Sequence, residues 1–237
     1  MTLRRQLLTS RKNKIDIVSN DPKIEEHFAN PANYADVVLE MFNKDRFYDA
    51  FFNSWYDLTV LDIGGNIGLF SLYIHDRARM VYPVEPTPTH FSVLTEMTKS
   101  YPNICPINVA LHNRDEPIDF YISSENSTMN SSVNTYGTKT VVQGKRLKTL
   151  ITDLGLSRVD FIKCDIEGSE MSALNDDTIA EVRDLTNVWS IEVHQTDHGI
   201  SWAESIDRNR KHLTRILERN GFGVYSHRHD CLYAYKI

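Results

Sequence analysis

The chain has 237 residues, with 41% hydrophobic and 24% charged residues and a net charge of −6 at pH 7. These values are ordinary for a globular protein and exclude a disordered or collagen-like chain, while the acidic balance argues against a nucleic-acid surface, which needs clustered Lys and Arg. No apolar run approaches the ~18–20 residues of a membrane-spanning helix and the cysteines are scattered singly, so we expect a cytoplasmic protein with no membrane contact.

The first 57 residues form a polar, aromatic-rich lead-in to a more regular pattern. Apolar spacing predicts two helices here, near residues 34–42 and 45–55. We therefore divide the chain into a helical segment, 1–57, which is a candidate substrate cap, and a main domain, 58–237.

From residue 58, short apolar runs alternate with helical patterns. The predicted strands are 59–63, 80–85, 104–111, 159–165 and 188–194. The predicted helices are 67–76, 87–100, 169–181 and 201–220. Strands that alternate with helices predict βαβ units, and so a mostly parallel sheet with helices on both faces.

One segment, residues 112–150, interrupts this alternation. It holds two strand-like runs, 118–122 and 140–142, around a stretch rich in Ser, Asn, Thr and Gly at 123–137. This pattern predicts an inserted β-hairpin whose loop is mobile or closes over a ligand.

The chain ends on a hairpin pattern, with strand-like runs at 222–226 and 232–236 joined by a turn. A hairpin places the last strand antiparallel to its neighbour. Five parallel strands closed in this way predict an α/β fold with the seven-stranded sheet of the Rossmann-like class I methyltransferases, rather than the fold of a dinucleotide-dependent dehydrogenase.

The motif DIGGNIG, residues 62–68, joins the first predicted strand to the first helix. A dinucleotide fingerprint needs a glycine where this motif has Asn66, because a side chain there crowds a pyrophosphate. An acid beside glycines suits a ligand that carries an ammonium group and no phosphate, as S-adenosylmethionine does. The candidate cofactor-binding residues are Asp62, Gly64, Gly65, Asn66 and Gly68, and the alternative is a glycine-rich turn that binds nothing.

Two later strand ends add to this candidate site. Glu85 ends the second strand about twenty residues after the glycine motif, where a ribose-binding acid is expected. Its carboxylate can accept both hydroxyl protons, and the alternative is a solvated glutamate. Asn108 and Ala110, at the end of the third strand, are candidates for an adenine slot.

Acidic and basic residues collect at the ends of the fourth and fifth strands. Period-two spacing puts Lys163 and Asp165 on one strand face, and Glu192 and His194 on one face of the next strand. These four are the candidate catalytic residues, with His194 as the base and Asp165 or Glu192 orienting it or the substrate. The alternative is that these charged residues only pair with one another at the strand ends and have no catalytic role. Asp165, Glu167 and Glu192 are candidate ligands for a divalent metal, which we do not expect, since three acids of unknown geometry do not define a site.

These motifs resemble those of the FkbM-type S-adenosylmethionine-dependent methyltransferases over residues 58–237. The resemblance rests on VLDIGGNIG at 60–68, VEP at 84–86, VDFIKCDIEGSE at 159–170 and EVH at 192–194. Gly65 stands where family members commonly have alanine. The resemblance implies S-adenosylmethionine as the cofactor and O-methylation of a hydroxyl on a sugar or natural-product-like small molecule.

Three other functions stay open. An RNA methyltransferase is disfavoured by the acidic net charge, and a nicotinamide-dependent oxidoreductase by Asn66 and the terminal hairpin. An inactive cofactor-binding scaffold is disfavoured by the acids around His194, which folding does not require. The acceptor and the oligomeric state are not assigned by the sequence.

Overall fold

The computed structural model describes residues 56–123, 130–133 and 137–237, except for the side chains of His227 and Arg228. The helices predicted at 34–42 and 45–55 lie outside the described residues, as does most of the polar stretch at 123–137.

The described strands form one large sheet and one small sheet. In chain order they are β1 Leu58–Ile63, β2 Ala78–Val84, β3 Ala110–Leu111, β4 Pro117–Ile122, β5 Thr138–Lys145, β6 Val159–Cys164, β7 Thr186–Glu192, β8 Phe222–Arg228 and β9 Cys231–Lys236. The large sheet has the order β2-β1-β6-β7-β9-β8. Its first four strands are parallel, and β9 runs antiparallel to both β7 and β8, which confirms the predicted terminal hairpin.

The third predicted strand, 104–111, is present only in part. Two isolated parallel bridges join Ile104 to Val81 and Ile107 to Val84 at the outer side of β2. Between these bridges the ladder is interrupted, because Pro83 has no N–H to donate. With this segment counted, the main sheet has the seven strand positions that the sequence predicts.

The described helices cover both faces of the large sheet. They are α1 Leu69–Ile74, α2 Pro88–Thr98, α3 Leu147–Asp153, α4 Glu170–Ala173, α5 Asp176–Val182 and α6 Trp202–Arg219. Alternate residues of β1 enter two different cores: Leu61 and Ile63 pack in the core that includes α3, α5 and α6, whereas Leu58 and Val60 pack in the core that includes α1. None of these helices is long and apolar enough to cross a membrane.

Two helical predictions differ from the structure. The single helix predicted at 169–181 is split into α4 and α5, because the Asn175 side chain accepts a hydrogen bond from the Thr178 N–H at 2.9 Å and starts a new helix. Helix α3 was not predicted, although Leu147, Leu150 and Ile151 follow helical spacing and are buried.

The small sheet, in the order β3-β5-β4, lies within and just before segment 112–150. Strands β4 and β5 pair antiparallel from Pro117–Gln143 to Ile122–Thr138, and β3 runs parallel to β5. Ala110, Phe120 and Val142 form its own small core. This inserted sheet brings additional residues to the carboxyl edge of the large sheet.

Candidate active site

A cavity of about 200 Å³ opens at the carboxyl ends of β1, β2 and β6. Its walls come from the loops that follow these strands, from Glu192 at the end of β7, and from Ala110, Phe120, Asn130 and Ser132 of the inserted sheet and its connection. Open α/β sheets bind their ligands at this edge.

The glycine motif is folded tightly between β2 and β6. The N–H groups of Gly64 and Gly65 both donate to the Val84 carbonyl at 3.0 Å. Gly64 has φ +80°, and a Cβ added there would stand 1.7 Å from the Asp165 carbonyl oxygen, so only glycine fits. A Cβ at Gly65 would lie 2.9 Å from Pro83 Cβ, which gives a physical reason for glycine at that position.

Gly68 has a different role from Gly64 and Gly65. It has φ +92° and precedes α1 as its N-cap, and an added Cβ would lie 2.6 Å from the Leu94 side chain of α2. The structure therefore places Gly68 in the packing of two helices, whereas Asp62, Gly64, Gly65 and Asn66 line the cavity.

Asp62 lies fully buried at the base of the cavity. Ser71 donates to its Oδ2 at 2.7 Å, while its Oδ1 has no hydrogen-bond partner among the described residues and lies 3.9 Å from Lys163 Nζ. Burial raises the pKa of Asp62, and the Lys163 cation opposes this rise. Such a buried oxygen needs a donor or a cation, which a ligand ammonium group would supply.

Glu85 joins the glycine motif to the loop after β2. Its Oε2 accepts the Asn66 N–H at 2.9 Å, and its Oε1 accepts the Thr87 N–H at 2.8 Å. Asn66 adopts φ +47°, a left-handed conformation that turns its N–H toward this carboxylate. Burial raises the pKa of Glu85 to about 7. A carboxylate oxygen can accept more than one hydrogen bond, and Glu85 lines the cavity, as binding of a ribose diol requires.

The two residues predicted for an adenine slot separate. Ala110 lines the cavity together with Leu111. Asn108 instead uses its side-chain amide within the protein, donating to the carbonyls of Glu85 at 2.8 Å and Pro86 at 3.2 Å. Its amide nitrogen therefore holds the loop that carries Glu85.

Lys163 and Asp165 form an ion pair at the end of β6. Lys163 Nζ donates to Asp165 Oδ2 at 3.0 Å. Burial opposes ionisation of Asp165, but the charges of Lys163 and His194 outweigh burial and lower its pKa. Both side chains line the cavity, so the pair contributes a fixed carboxylate to its floor.

His194 lies just beyond β7 among several carboxylates. Its Nδ1 donates to Glu170 Oε1 at 2.9 Å, and its Nε2 lies 3.5 Å from Glu167 Oε2 and 3.7 Å from Asp165 Oδ1. Burial alone would lower the pKa of His194, but these carboxylates outweigh burial and raise the pKa well above 6.5. The carboxylates therefore favour the imidazolium form of His194.

Glu170 is the site residue that the sequence reasoning missed. It is fully buried at the start of α4, and its Oε1 also accepts the Ile166 N–H at 2.9 Å. The sequence predicted Asp165 or Glu192 as the group that orients His194, but the hydrogen bond to Nδ1 comes from Glu170. The signal was available in the motif KxDxEGxE at 163–170, whose last acid had no assigned role.

Glu167 and Glu192 complete the acidic edge of the cavity. Burial raises the pKa of Glu167 to about 8, and His194 opposes this rise while Asp165, Glu170 and Glu192 add to it. Glu192 lines the cavity at the end of β7.

One set of side chains has the spacing of a cation site. Single ligand atoms of Asp165, Glu167 and His194 all lie within 4.8 Å of one another. Two of the three candidate metal ligands from the sequence are in this set, and His194 takes the place of Glu192.

Comparison with known proteins identifies the family. Residues 62–224, more than half of the chain, match the model of the methyltransferase FkbM domain. The chain belongs to the FkbM methyltransferase family. It is an S-adenosylmethionine-dependent methyltransferase, as the motifs at 62–68 and 163–170 predict.

Two curated relatives and one solved structure illustrate its similarities. This FkbM methyltransferase is 29% identical over 220 residues to the AMB antimetabolite synthetase AmbE of Pseudomonas aeruginosa, a match that covers 74% of this chain and only 10% of AmbE. It is 27% identical over 234 residues to Methyltransferase 1 of Beauveria bassiana, with 86% of this chain and 88% of that protein covered.

The solved structure is magnesium protoporphyrin IX methyltransferase (ChlM) from Synechocystis PCC 6803 with bound S-adenosylmethionine. It matches with a TM-score of 0.50 at 10% identity, over 99% of this chain and 95% of that chain. This match shows the Rossmann-like class I methyltransferase fold, with its antiparallel terminal strands.

The cavity residues fit the cofactor of this family. Asp62 Oδ1 is a buried acceptor without a partner among the described residues, as an ammonium group requires. Glu85 offers two carboxylate oxygens, and the backbone at Gly64 leaves no room for a side chain. Asp62, Gly64, Gly65, Asn66 and Glu85 would hold S-adenosylmethionine.

Proposed function

We propose that the chain methylates a hydroxyl oxygen of a small molecule, of sugar or natural-product type, with His194 as the general base. The arrangement that carries this proposal is an imidazole next to two carboxylates that line the cavity: His194 Nδ1 is hydrogen-bonded to Glu170, and Nε2 lies 3.7 Å from Asp165 and 3.5 Å from Glu167. An alcohol is a poor nucleophile, and a positioned base is the group that its methylation needs.

When bound, S-adenosylmethionine supplies a methyl group on a sulfonium centre, which is already activated for transfer. The protein then has two tasks, to position the acceptor hydroxyl in line with the methyl and to take up its proton. The Glu170 hydrogen bond keeps a proton on His194 Nδ1, so in the neutral imidazole the lone pair is on Nε2. Nε2 accepts the hydroxyl proton, and the adjacent carboxylates stabilise the imidazolium that forms.

The charge of the site supports a neutral or cationic acceptor. Asp165, Glu167 and Glu192 line the cavity, with Lys163 as a cation already paired to Asp165. An acceptor with a phosphate close to its hydroxyl would meet this acidic edge, which disfavours RNA. The name of AmbE, an antimetabolite synthetase, further supports a natural-product-like acceptor.

Transfer of a labelled methyl group from S-adenosylmethionine to a panel of hydroxylated acceptors tests the proposal. The panel contains glycosides, phenols, amino alcohols and a structured RNA, and mass spectrometry locates the methyl group. Methylation at oxygen on a small acceptor is the expected result, and methylation confined to nitrogen, carbon or RNA would refute it.

His194→Ala tests the base. We expect turnover to fall by about 10²–10⁴-fold, the usual contribution of a general base. Cofactor affinity, measured by calorimetry, is expected to stay nearly unchanged, because His194 is not one of the described residues that line the cavity. Wild-type turnover in this variant would show that His194 is not the base.

A further inference from the structure

Residues 130–133, called the strap from here on, connect two loops on opposite sides of the cavity. At one end, Asn130 Nδ2 donates to Thr87 Oγ1 at 3.2 Å, beside the loop that holds Glu85. At the other end, the hydroxyls of Ser132 and Ser169 are hydrogen-bonded at 2.7 Å. Asn130 and Ser132 also line the cavity, so the strap forms part of its wall.

Ser131 is the centre of the strap and is fully buried. Its backbone N–H donates to the Tyr121 carbonyl at 3.1 Å and its carbonyl accepts the Tyr121 N–H at 2.9 Å, which fixes it against β4. Its hydroxyl donates to the Glu167 carbonyl at 2.9 Å and accepts the Val133 N–H at 3.2 Å. The inserted sheet thus holds the main chain of a residue in the β6 loop.

Glu167 needs such support because of its backbone conformation. It has φ +53°, and Gly168 after it has φ +96°. The left-handed region is strained for a residue with a Cβ, so surrounding contacts must keep Glu167 there. Val133 of the strap also packs over this turn, since a Cβ added to Gly168 would lie 3.3 Å from its side chain.

The conformation of Glu167 determines where its carboxylate lies. In the structure Glu167 lines the cavity, and its Oε2 is 3.5 Å from His194 Nε2. A rotation of the Glu167 backbone out of the left-handed region would redirect the Cα–Cβ bond and carry the carboxylate away from the imidazole.

We propose that Ser131 is a positioning residue of the methyl-transfer site: its buried hydroxyl holds the Glu167 carbonyl, and thereby keeps the Glu167 carboxylate beside His194. The inference rests on the proposed function, which makes His194 the acceptor base. It gives the inserted sheet a role in the reaction, since β4 sets the position of a residue in the β6 loop.

A double-mutant cycle of Ser131→Ala and Glu167→Gln tests this role. The first readout is the titration midpoint of the His194 ring, followed by NMR on histidine-labelled protein. The groups that face this ring are Asp165, Glu167 and Glu170. We expect Ser131→Ala to lower the midpoint in the wild-type background, because the Glu167 carboxylate moves away, and to have no effect in the Glu167→Gln background.

The second readout is turnover with an acceptor found in the panel. We expect kcat to be about tenfold lower in Ser131→Ala, because the variant loses one hydrogen bond that positions Glu167, and the net free energy of one such bond corresponds to about a tenfold change in rate. The affinity for S-adenosylmethionine is expected to stay unchanged, and the two substitutions together to be no worse than Glu167→Gln alone.

Thr98→Val is the matched control. Thr98 is 2% exposed, and its hydroxyl donates to a backbone carbonyl, Leu94 O, at 2.7 Å, so the variant loses an equivalent buried bond. It is expected to change neither the His194 midpoint nor kcat. If Ser131→Ala does not fold, Ser131→Cys, whose thiol is only a weak hydrogen-bond donor to the Glu167 carbonyl, enters the same cycle with the same expectations.

A His194 midpoint that does not move in Ser131→Ala, or that moves equally in the Glu167→Gln background, would overturn the role of Ser131. A wild-type protein that methylates no hydroxyl would instead overturn the proposed function. These failures are distinguishable, because the NMR titration needs no acceptor.

Discussion

The hydrogen bond between Glu170 and His194 predicts how the pH dependence of the reaction will respond to loss of one charge. Glu170→Gln keeps an oxygen that can accept the Nδ1 proton at the observed 2.9 Å but removes the negative charge. The pKa of His194 must then fall, because the carboxylates are what raise it above its usual value.

The size of this fall follows from the geometry. Two unit charges 2.9 Å apart interact by about 6 kcal/mol at an effective dielectric constant of 20, an upper bound because both groups have also lost hydration. A hydrogen bond to a charged group contributes a net of about 1.5–3 kcal/mol, or about one to two pKa units. We therefore expect the pKa of His194 to be about one to two units lower in Glu170→Gln.

The sign of the effect on activity is fixed by the role of the base. In the proposed mechanism His194 acts in its unprotonated form, so the rate of the wild-type enzyme should rise with pH through a pKa well above 6.5. In Glu170→Gln this rise should occur about one to two pH units lower, with a smaller plateau rate because the ring is held less firmly.

NMR titration of His194 and the pH profile of kcat/KM measure these shifts. Glu181→Gln, which loses a carboxylate paired with Arg146 on the surface, is the control and should leave both unchanged. A pKa that stays in place or rises in Glu170→Gln would refute the assignment of Glu170 as the charge that holds the imidazolium.

Three further predictions concern the cofactor site and metal dependence. Burial raises the pKa of Glu85 from 4.5 to about 7, so the folded state binds this proton more tightly; the melting temperature should fall as the pH rises from 4.5 to 7, and Glu85→Gln should flatten that fall. Gly64→Ala should abolish cofactor binding in calorimetry, because its Cβ would meet a carbonyl oxygen at 1.7 Å, whereas Gly155→Ala, with φ +64° and nothing within 4 Å, should cost stability alone. Dialysis against a chelator should leave turnover unchanged, and activity restored only by a divalent cation would contradict this.

The sequence predicted the fold well because the strands of the large sheet are short apolar runs with clear ends. The tight turn at 62–68 was also predictable, because glycines in such a motif mark positions where the backbone leaves no room for a side chain. Asn175 is an exception: its side chain accepts the Thr178 N–H and starts a new helix within a continuous helical pattern.

The candidate site was predicted less completely, because several contacts depend on long-range pairing. Glu170 reaches His194 only when α4 lies against the end of β7, 24 residues later in the chain. Asn108 had the right position for an adenine slot, but its amide satisfies two carbonyls of the neighbouring loop. Spacing along a strand predicts the face of the sheet on which a side chain lies, but it does not predict the hydrogen-bond partner of that side chain.

Pro106, on the segment that lies beside β2, has a consequence for the behaviour of the protein in solution. Among the described residues, the segment from Ile104 to Ile107 forms one edge of the large sheet, and the N–H groups of Cys105 and Ile107 donate to carbonyls of β2. The other two residues of the segment have no N–H available, because Ile104 donates its N–H to the Tyr101 carbonyl and Pro106 has no N–H. At Ile104 and Pro106 this edge therefore offers no backbone N–H to a strand from another molecule, which protects the edge from edge-to-edge aggregation.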